Sequence, residues 1–395
     1  MPGSVVVGGA RTPIGKLSGS LAGFSGADLG GIAIKGALAR AGVDPEHVDY
    51  VLMGQVLQGG TGQITARQAA TKAGIPMSVP AMTVNKVCLS GINAIYLADQ
   101  MIQSGDAEVV VAGGMESMTN APYLLPGARA GYRMGNGELI DSLIHDGLWC
   151  AFDAVHMGAG TEKYLGQLGN ITREQQDELA AASHERAAAA MKDGRFADEI
   201  VNVEVPQRKG DPIVVENDEG VRPGTTAESL GGLRPAFSKD GTITAGNASQ
   251  ISDGAAAVIV TSRAAAEELG VAPIAELVAF GMVAGPDPSL LIQPARAIKR
   301  ALEKIDGSVT DLDLFELNEA FAAVGLASMA DLGIKDDVVN VNGGAIALGH
   351  PIGMSGTRVV LTLINELRRR GGGLGAAALC GGGGQGDALI IKVPA

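Results

Sequence analysis

The composition of this 395-residue chain is that of a globular protein and limits its partners. Hydrophobic residues make up 46% and charged residues 18%, which disfavours disorder. A net charge of −13 argues against nucleic-acid binding, and no apolar run reaches the ~18 residues of a membrane span. Three cysteines disfavour a disulfide framework, and no export signal opens the chain, so we expect a cytoplasmic protein.

The first part of the chain alternates between strand-like and helical patterns. Strand-like runs cover residues 4–7, 48–53, 81–84 and 107–112, and helical patterns cover 28–41, 63–73 and 90–102. Such alternation predicts a mostly parallel sheet covered by helices.

The last part of the chain repeats this order. Helical patterns cover residues 294–303, 320–331 and 355–369, and strand-like runs cover 312–317, 338–341, 374–379 and 387–393. The run Val-Asp-Tyr-Val (48–51) matches Leu-Asp-Leu-Phe (312–315), and Ser-Gly (90–91) matches Ser-Gly (355–356). The two offsets differ by one residue, which favours an internal duplication over a chance alignment of apolar strands.

The middle of the chain breaks the pattern and is interpreted as an insertion that caps the site. It holds one clear helix, over 173–191, which begins with a capping box from Thr172 to Gln175. His184 is expected on a solvated face of that helix. Strand character resumes at 255–261. We therefore predict an N-terminal half (1–115 plus 249–268), a loop or cap domain (116–248) and a C-terminal half (269–395).

Cys88 and His350 are candidate catalytic residues. Cys88 comes just before a helical pattern, where the partial positive charge of a helix start lowers a thiol pKa. The alternative is a small buried hydrophobe. His350 lies between Gly349 and Pro351, on a loop that suits a base or a hydrogen-bond donor. The alternative is a histidine that faces solvent. The duplication would place both residues at equivalent helix N-termini.

Cys380 begins a glycine-rich segment. Residues 381–386 fit the dinucleotide pattern G-x-G-x-x-G, but no βαβ unit follows, so these glycines are interpreted as backbone donors to an oxyanion. A disulfide between Cys88 and Cys380 is disfavoured by the low cysteine count. Asn318 follows a predicted strand, a placement that suits a site in an α/β sheet. The spacing of possible ligands gives no support to a metal site.

Taken together, these segments resemble the thiolase family over nearly the whole chain. The resemblance is carried by Gly-Gly-Ala-Arg-Thr-Pro-Ile-Gly-Lys (8–16), Val-Asn-Lys-Val-Cys-Leu-Ser-Gly (84–91), Gly-Asn-Ala-Ser (246–249), Asn-Glu-Ala-Phe (318–321), Asn-Gly-Gly-Ala-Ile-Ala-Leu-Gly-His-Pro-Ile-Gly-Met-Ser-Gly (342–356) and Cys-Gly-Gly-Gly-Gly-Gln-Gly (380–386). It implies a five-layered αβαβα fold from two duplicated halves with an inserted loop domain. It also implies a homo-oligomer, either a dimer or a tetramer.

Within the family, the chain looks most like the members that condense two acetyl-CoA to acetoacetyl-CoA plus CoA. The resemblance implies that Cys88 carries the acetyl group, that His350 is its base and that Cys380 removes the α-proton of the second acetyl-CoA. The enolate oxygen would face His350 and a water held by Asn318. The tetrahedral intermediate would face the amides of Cys88 and Gly382.

The resemblance also implies the CoA-binding residues. These are Arg222 and Ser229 for the nucleotide end, His156, Met157 and Ser249 for the pantetheine and acyl end, and Phe237, Ala320 and Phe321 along the tunnel. CoA would be a substrate and product, with no permanently bound cofactor. The stretch 287–294 lacks the glycines found in many acetyl-specific members, which leaves a degradative thiolase for longer 3-ketoacyl-CoA open. A non-catalytic acyl-CoA or lipid-binding relative is the alternative of another class.

Overall fold

The computed structural model describes residues 4–167 and 171–395 and contains a large central sheet with helices on both faces. The strands are β1 (Val5–Arg11), β2 (Gly15–Lys16), β3 (Tyr50–Gly54), β4 (Ala81–Val84), β5 (Val109–Ser117), β6 (Tyr123–Leu124), β7 (Ile140–Asp141), β8 (Trp149–Cys150), β9 (Val155–His156), β10 (Val203–Val205), β11 (Ile213–Val215), β12 (Ser252–Thr261), β13 (Ala275–Ala284), β14 (Leu314–Leu317), β15 (Gly373–Gly381) and β16 (Gln385–Val393).

The helices are α1 (Gly26–Ala41), α2 (Thr65–Lys72), α3 (Ser90–Ser104), α4 (Met157–Leu165), α5 (Arg173–Lys192), α6 (Ala227–Gly231), α7 (Arg263–Glu268), α8 (Gln293–Glu303), α9 (Ala322–Leu332), α10 (Ala345–Leu348) and α11 (Ser355–Arg369). Short 3₁₀ turns occur at Pro45–His47, Val309–Asp311 and Asp336–Val338, and a π-helical segment covers Leu143–Leu148.

The strand order of the central sheet is β4-β3-β5-β12-β1-β13-β16-β15-β14, with β2 beside β12. Only the pairs β3–β4, β3–β5 and β14–β15 are parallel, so the expectation of a mostly parallel sheet is wrong. The strands at the centre pair antiparallel, because β15 turns straight back into β16 and β12 returns from the insertion. Apart from β4, the strands of the two halves follow the same order from the edge inwards, with β3-β5-β12-β1 matching β14-β15-β16-β13, so the duplication is present in the fold.

Three apolar clusters place five layers in the molecule. One lies between α1 and α2 and the sheet of the first half, and another lies between α8 and α9 and the sheet of the second half. The middle cluster joins α3 and α11 to strands of both halves. This is the expected αβαβα layering, and it puts the starts of α3 and α11 side by side at the centre. The domain boundaries at residues 116, 249 and 269 stay a prediction.

The stretch 338–341 does not form the predicted strand. The chain makes a 3₁₀ turn there and contacts β14 only through one bridge from Val339 to Phe315. Asn340 has a φ of +45° and its side chain bonds both the amide (2.9 Å) and the carbonyl (2.8 Å) of Leu317. An amide side chain thus replaces the backbone partner that a further strand would supply.

Helix α5 begins with the predicted capping box between Thr172 and Gln175. His184 does not lie on a solvated face of this helix, and that expectation is wrong. Its side chain is 3% exposed, and its Nδ1 accepts a hydrogen bond of 3.2 Å from the amide of Arg222. The reason is that α5 is covered by α9 and α10 on one side and by the 220s loop on another. Within the described ranges, no helix is both long and apolar enough to cross a membrane.

Candidate active site

Four segments bring the candidate catalytic side chains to the centre of the molecule. Cys88 precedes α3, His350 precedes α11, Cys380 lies near the end of β15, and Asn318 follows β14. All four are buried, with Cys88 the most accessible at 8%. The amide Nδ2 of Asn318 lies 3.4 Å from Nε2 of His350, and the amide of Gly382 is near enough to the Cys88 thiol to favour its charged form. The duplicated fold therefore joins residues that are far apart in the chain.

The turn that carries Cys88 is strained and tightly bonded. Val87 has a φ of +51°, an uncommon conformation for a β-branched residue and one that clusters at functional sites. The Ser90 hydroxyl donates to the Val87 carbonyl (2.6 Å) and accepts from the Lys86 amide (2.8 Å). These bonds hold the backbone so that the Cys88 thiol faces Gly382.

Burial raises the pKa of the Cys88 thiol to about 12, although its own amide and that of Gly382 favour the thiolate. The expectation that the helix start lowers this pKa is therefore wrong for the ligand-free protein, because desolvation outweighs the partial charge of the helix. The resting thiol is protonated, and it needs a base in order to react.

His350 has the protonation state of such a base. The Ser355 hydroxyl lies 2.6 Å from Nδ1 of His350 and 3.0 Å from the carbonyl oxygen of Pro351. A hydroxyl has one proton and a carbonyl only accepts, so we assign Ser355 as donor to Pro351 and acceptor from Nδ1–H. Nε2 is then free of a proton and faces Asn318. Burial, and secondly the charge of Arg358, lower the pKa of His350 to about 3, so the ring is neutral.

Cys380 lies beside Gly386 in the ladder between β15 and β16. Burial, and secondly the neighbouring Cys88, raise the pKa of its thiol well above the usual range. The glycines that follow form the hairpin turn, with positive φ at Gly383 and Gly384. This turn leads into a terminal strand rather than a helix, which excludes a dinucleotide loop and places the Gly382 amide towards Cys88.

A cavity of about 500 Å³ opens onto this site. Seven of the predicted residues line it: His156, Met157, Arg222, Phe237, Ser249, Phe321 and His350. The lining also includes residues that the sequence analysis did not single out, namely Lys16, Leu17, Met118, Ile144, Leu148, Gln250 and Ile352. The cavity is therefore mostly apolar, with basic side chains at Lys16 and Arg222 and polar groups at the histidines.

The other predicted residues lie outside the cavity lining. Cys88 belongs to the same apolar cluster as Met118 and Ile352, and Cys380 belongs to the cluster that includes Phe321, with Met157 and Phe237 packed against that cluster. Ala320 is buried, and its carbonyl accepts a bond of 3.0 Å from the amide of Ser249. Ser229 is not part of the cavity lining, and its hydroxyl bonds to Thr226 in the capping box of helix α6.

Glu116 is a buried residue of the site that the sequence analysis missed. Its carboxylate accepts from the amides of Val56 (2.9 Å), Leu57 (3.2 Å) and Gly353 (3.0 Å), and burial raises its pKa to about 7. It thereby ties the loop of His350 to the first half. Aligning the two halves would have indicated it, because β5 and β15 correspond and Glu116 takes the position of Cys380. Among the residues of 4–167 and 171–395, no group of three or more His, Cys, Asp or Glu could hold a metal ion.

Known protein families and sequences match this chain over almost its whole length. The family "Thiolase, N-terminal domain" matches residues 4–264, and "Thiolase, C-terminal domain" matches residues 271–393. A protein of Mycolicibacterium smegmatis named probable acetyl-CoA acetyltransferase is 60% identical over 98% of this chain and 100% of its own length. An acetyl-CoA acetyltransferase of Cupriavidus necator is 53% identical over 98% of both chains.

A solved structure shows the same fold. The crystal structure of the Bacillus anthracis acetyl-CoA acetyltransferase superposes with a TM-score of 0.96 at 42% identity, covering 100% of this chain and 99% of that one. Together with the family matches over almost every residue, this similarity shows that the chain belongs to the thiolase family.

Proposed function

We propose that this chain is an acetyl-CoA C-acetyltransferase that condenses two acetyl-CoA to acetoacetyl-CoA plus CoA through an acetyl-cysteine. The observation that carries the proposal is one buried site with two thiols and a neutral histidine whose Nε2 is unprotonated. One sulfur can hold an acyl group while the other accepts a proton. The names of the similar proteins from Mycolicibacterium smegmatis and Cupriavidus necator support the substrate class.

In the first half-reaction, Nε2 of His350 takes the proton of the Cys88 thiol. The sulfur attacks the thioester carbonyl of acetyl-CoA, the carbon–sulfur bond to CoA breaks, and the CoA sulfur leaves with the proton from His350. The tetrahedral oxyanion is stabilised by the amides of Cys88 and Gly382. Loss of one such donor typically costs about 10²–10³ in rate.

In the second half-reaction, another acetyl-CoA binds in the same cavity, Nε2 of the again neutral His350 takes the proton of the Cys380 thiol, and the Cys380 thiolate removes the α-proton. The carbanion attacks the carbonyl of acetyl-Cys88 and gives acetoacetyl-CoA, and the released Cys88 sulfur takes the proton back from His350. His350 and a water held by Asn318 would stabilise the enolate oxygen. In this proposal CoA lies against Arg222, Ser249, His156 and the cavity aromatics, and no permanently bound cofactor takes part.

The stretch 287–294 supports a short acyl group. Leu290 and Leu291 are buried there, and their side chains belong to the same apolar cluster as Cys380. In this proposal, the packed side chains of that cluster limit the room for a longer acyl chain. A chain-length series of 3-ketoacyl-CoA tests this, because thiolysis rates that rise with chain length would favour a degradative thiolase instead.

Incubation with acetyl-CoA labelled in the acetyl group tests the proposal most directly. We expect one label per chain on the peptide that contains Cys88, and none in Cys88→Ala. The Cys380→Ser variant should still take up label, but it should lose α-proton exchange and condensation. An unlabelled wild-type protein would instead favour the acyl-CoA or lipid-binding alternative. Equal loss of both half-reactions in Cys380→Ser would contradict the role given to that thiol.

The proposal extends to a cytoplasmic homo-oligomer, either a dimer or a tetramer. All three cysteines are free, and the mechanism needs two of them reduced, which a reducing compartment maintains. Apolar side chains such as Tyr123 (65% exposed) and Met134 (99% exposed) are accessible in the single chain, and a second copy would cover them. Light scattering of the purified protein measures the assembly.

A further inference from the structure

Asp387 is a fully buried carboxylate that the proposed mechanism does not use. Both of its oxygens lie 2.8 Å from Nζ of Lys86, and one also accepts a hydrogen bond of 3.2 Å from Nδ2 of Asn93. Its side chain is 0% exposed, whereas that of Lys86 is 21% exposed. The two donors lie on either side of Cys88 in the sequence: Lys86 in the loop before it and Asn93 in helix α3. One carboxylate therefore holds both ends of the nucleophile turn.

The position of Asp387 in the fold shows which two parts of the site this contact connects. In the ladder between β15 and β16, Asp387 lies opposite Leu379, and the next pair is Cys380 with Gly386. The carboxylate thus belongs to the hairpin that carries Cys380 and Gly382, whereas Lys86 and Asn93 belong to the turn and helix that carry Cys88. The ion pair joins the two halves of the duplicated fold in the region where Cys88 and Cys380 lie near each other.

The energetics favour a role in geometry over a role in stability. A buried carboxylate is costly to desolvate, and burial raises the pKa of Asp387 even though Lys86 and Asn93 favour its charged form. Buried ion pairs often contribute little to net stability compared with apolar residues, and their best-attested use is to fix one arrangement among several. None of Lys86, Asn93 and Asp387 lines the cavity, so substrate binding does not account for the pair.

We propose that Lys86 and Asp387 are positioning residues that fix the distance between the Cys88 turn and the hairpin of Cys380 and Gly382. The consequence for catalysis rests on the proposed function. In the condensation, the carbanion formed beside Cys380 must reach acetyl-Cys88, and the Gly382 amide must meet the oxyanion. A displacement of about 1 Å between such groups can cost 10²-fold in rate.

Two variants test the two partners of the ion pair one at a time. Asp387→Asn keeps the shape and removes the charge, and Lys86→Met keeps most of the stem and removes the ammonium group. We expect kcat per Cys88 site to fall by up to about 10²-fold in both, with KM for acetyl-CoA nearly unchanged, because the cavity is intact. Lys86→Arg keeps the charge and should recover most of the lost rate. If kcat per site stays at the wild-type value while only Tm falls, the pair is merely structural and the proposal is wrong.

The matched control is Glu366→Gln. Glu366 is also a buried carboxylate with basic partners, Arg369 and Arg370, but it lies at the far end of α11. The Glu366→Gln variant should leave kcat per site unchanged. A loss of kcat as large as that in Asp387→Asn would overturn the proposal. If Asp387→Asn yields no folded protein, Lys86→Met carries the test, because the Lys86 side chain is partly exposed and its replacement is better tolerated.

A second measurement does not depend on the proposed reaction. The pH profile of Cys88 alkylation by iodoacetamide reports the pKa of that thiol, and mass spectrometry of the peptide identifies the site. The profiles of Lys86→Met and Asp387→Asn should move to higher pH, because the Gly382 amide no longer meets the sulfur. Unchanged profiles would contradict the positioning role. A wild-type protein that is alkylated but never acetylated would instead contradict the proposed function alone.

Discussion

At the scale of single residues, the site keeps its protons on sulfur until a substrate arrives. Cys88 is protonated because burial raises its pKa to about 12, and His350 is neutral because burial lowers its pKa to about 3. A neutral pair suits a buried site, since an ion pair of thiolate and imidazolium would have to be desolvated there. The direction of proton transfer then depends on which ring nitrogen of His350 is free, and Ser355 decides that.

The Ser355→Ala variant tests this assignment. Without the hydroxyl, the Nδ1–H of His350 loses its acceptor, and the free-Nε2 tautomer is no longer favoured. We expect Cys88 acetylation to slow by about 10²-fold, which is the lower range of general base catalysis. Rapid-quench measurement of label transfer gives the rate. Ser328→Ala, which removes another buried serine hydroxyl that donates to a carbonyl, should leave the rate unchanged. Equal rates in wild type and Ser355→Ala would refute the assignment.

At the scale of elements, the loop before α11 fits into a gap that three glycines leave open. Added Cβ atoms at Gly54 of β3 and Gly91 of α3 would lie 2.9 and 3.0 Å from the carbonyl oxygen of Gly353, and one at Gly114 of β5 would overlap it. The Glu116 carboxylate accepts from the amide of the same residue. Three elements of the first half thus set the position of the His350 loop of the second half.

Gly114→Ala should therefore displace the His350 loop. Overpacking of this kind typically costs about 1–3 kcal/mol, so we expect a lower free energy of unfolding and a larger loss of acetylation than of folded protein. Urea unfolding and label transfer measure the two effects. Gly23→Ala is the matched control, because an added Cβ there meets nothing within 4 Å and the φ of Gly23 is not positive. Wild-type acetylation in Gly114→Ala would show that the loop can move without loss.

At the scale of the whole molecule, the fold is stabilised by a core that neither half can complete alone. The middle apolar cluster includes Leu52 and Val110 of the first half and Leu379 and Ile391 of the second, packed on α3 and α11. Polar groups are also buried in the folded protein. His184 is one of them, and desolvation, with a smaller effect of Arg222, lowers its pKa to about 4.

This histidine should make global stability depend on pH. Between about pH 6.5 and pH 4 the unfolded chain binds a proton that the folded chain does not, so stability falls as pH falls through that window, by at most about 1.4 kcal/mol per pH unit. His184→Gln removes this contribution. We expect the stability of wild type relative to the variant to decline between about pH 7 and pH 5 in urea unfolding. A difference that is constant over this range would refute the prediction.

Features that depend on near neighbours in the chain were predicted correctly, and features that depend on long-range pairing were not. The sequence predicted helices over 90–102 and 355–369 and the repeat that relates them, and the structure has helices at 90–104 and 355–369, because helical periodicity depends on near neighbours. The strand expected at 338–341 was not formed, because the side chain of Asn340 takes the place of the backbone partner. The mostly parallel sheet was wrong for a similar reason, since pairing partners are chosen at long range.

The sequence by itself determined the family and the candidate catalytic residues: the motifs at Cys88, His350, Cys380 and Asn318 indicated the thiolase family and singled out these four side chains. Only the tertiary structure decided their protonation states and the contacts that hold their loops in place. Burial reversed the expected pKa shift of Cys88, Ser355 set the tautomer of His350, and Glu116 and Asp387 join the loops across the two halves. The physical reason is that desolvation and contacts between halves depend on what surrounds a group in space, and a linear sequence does not contain that information.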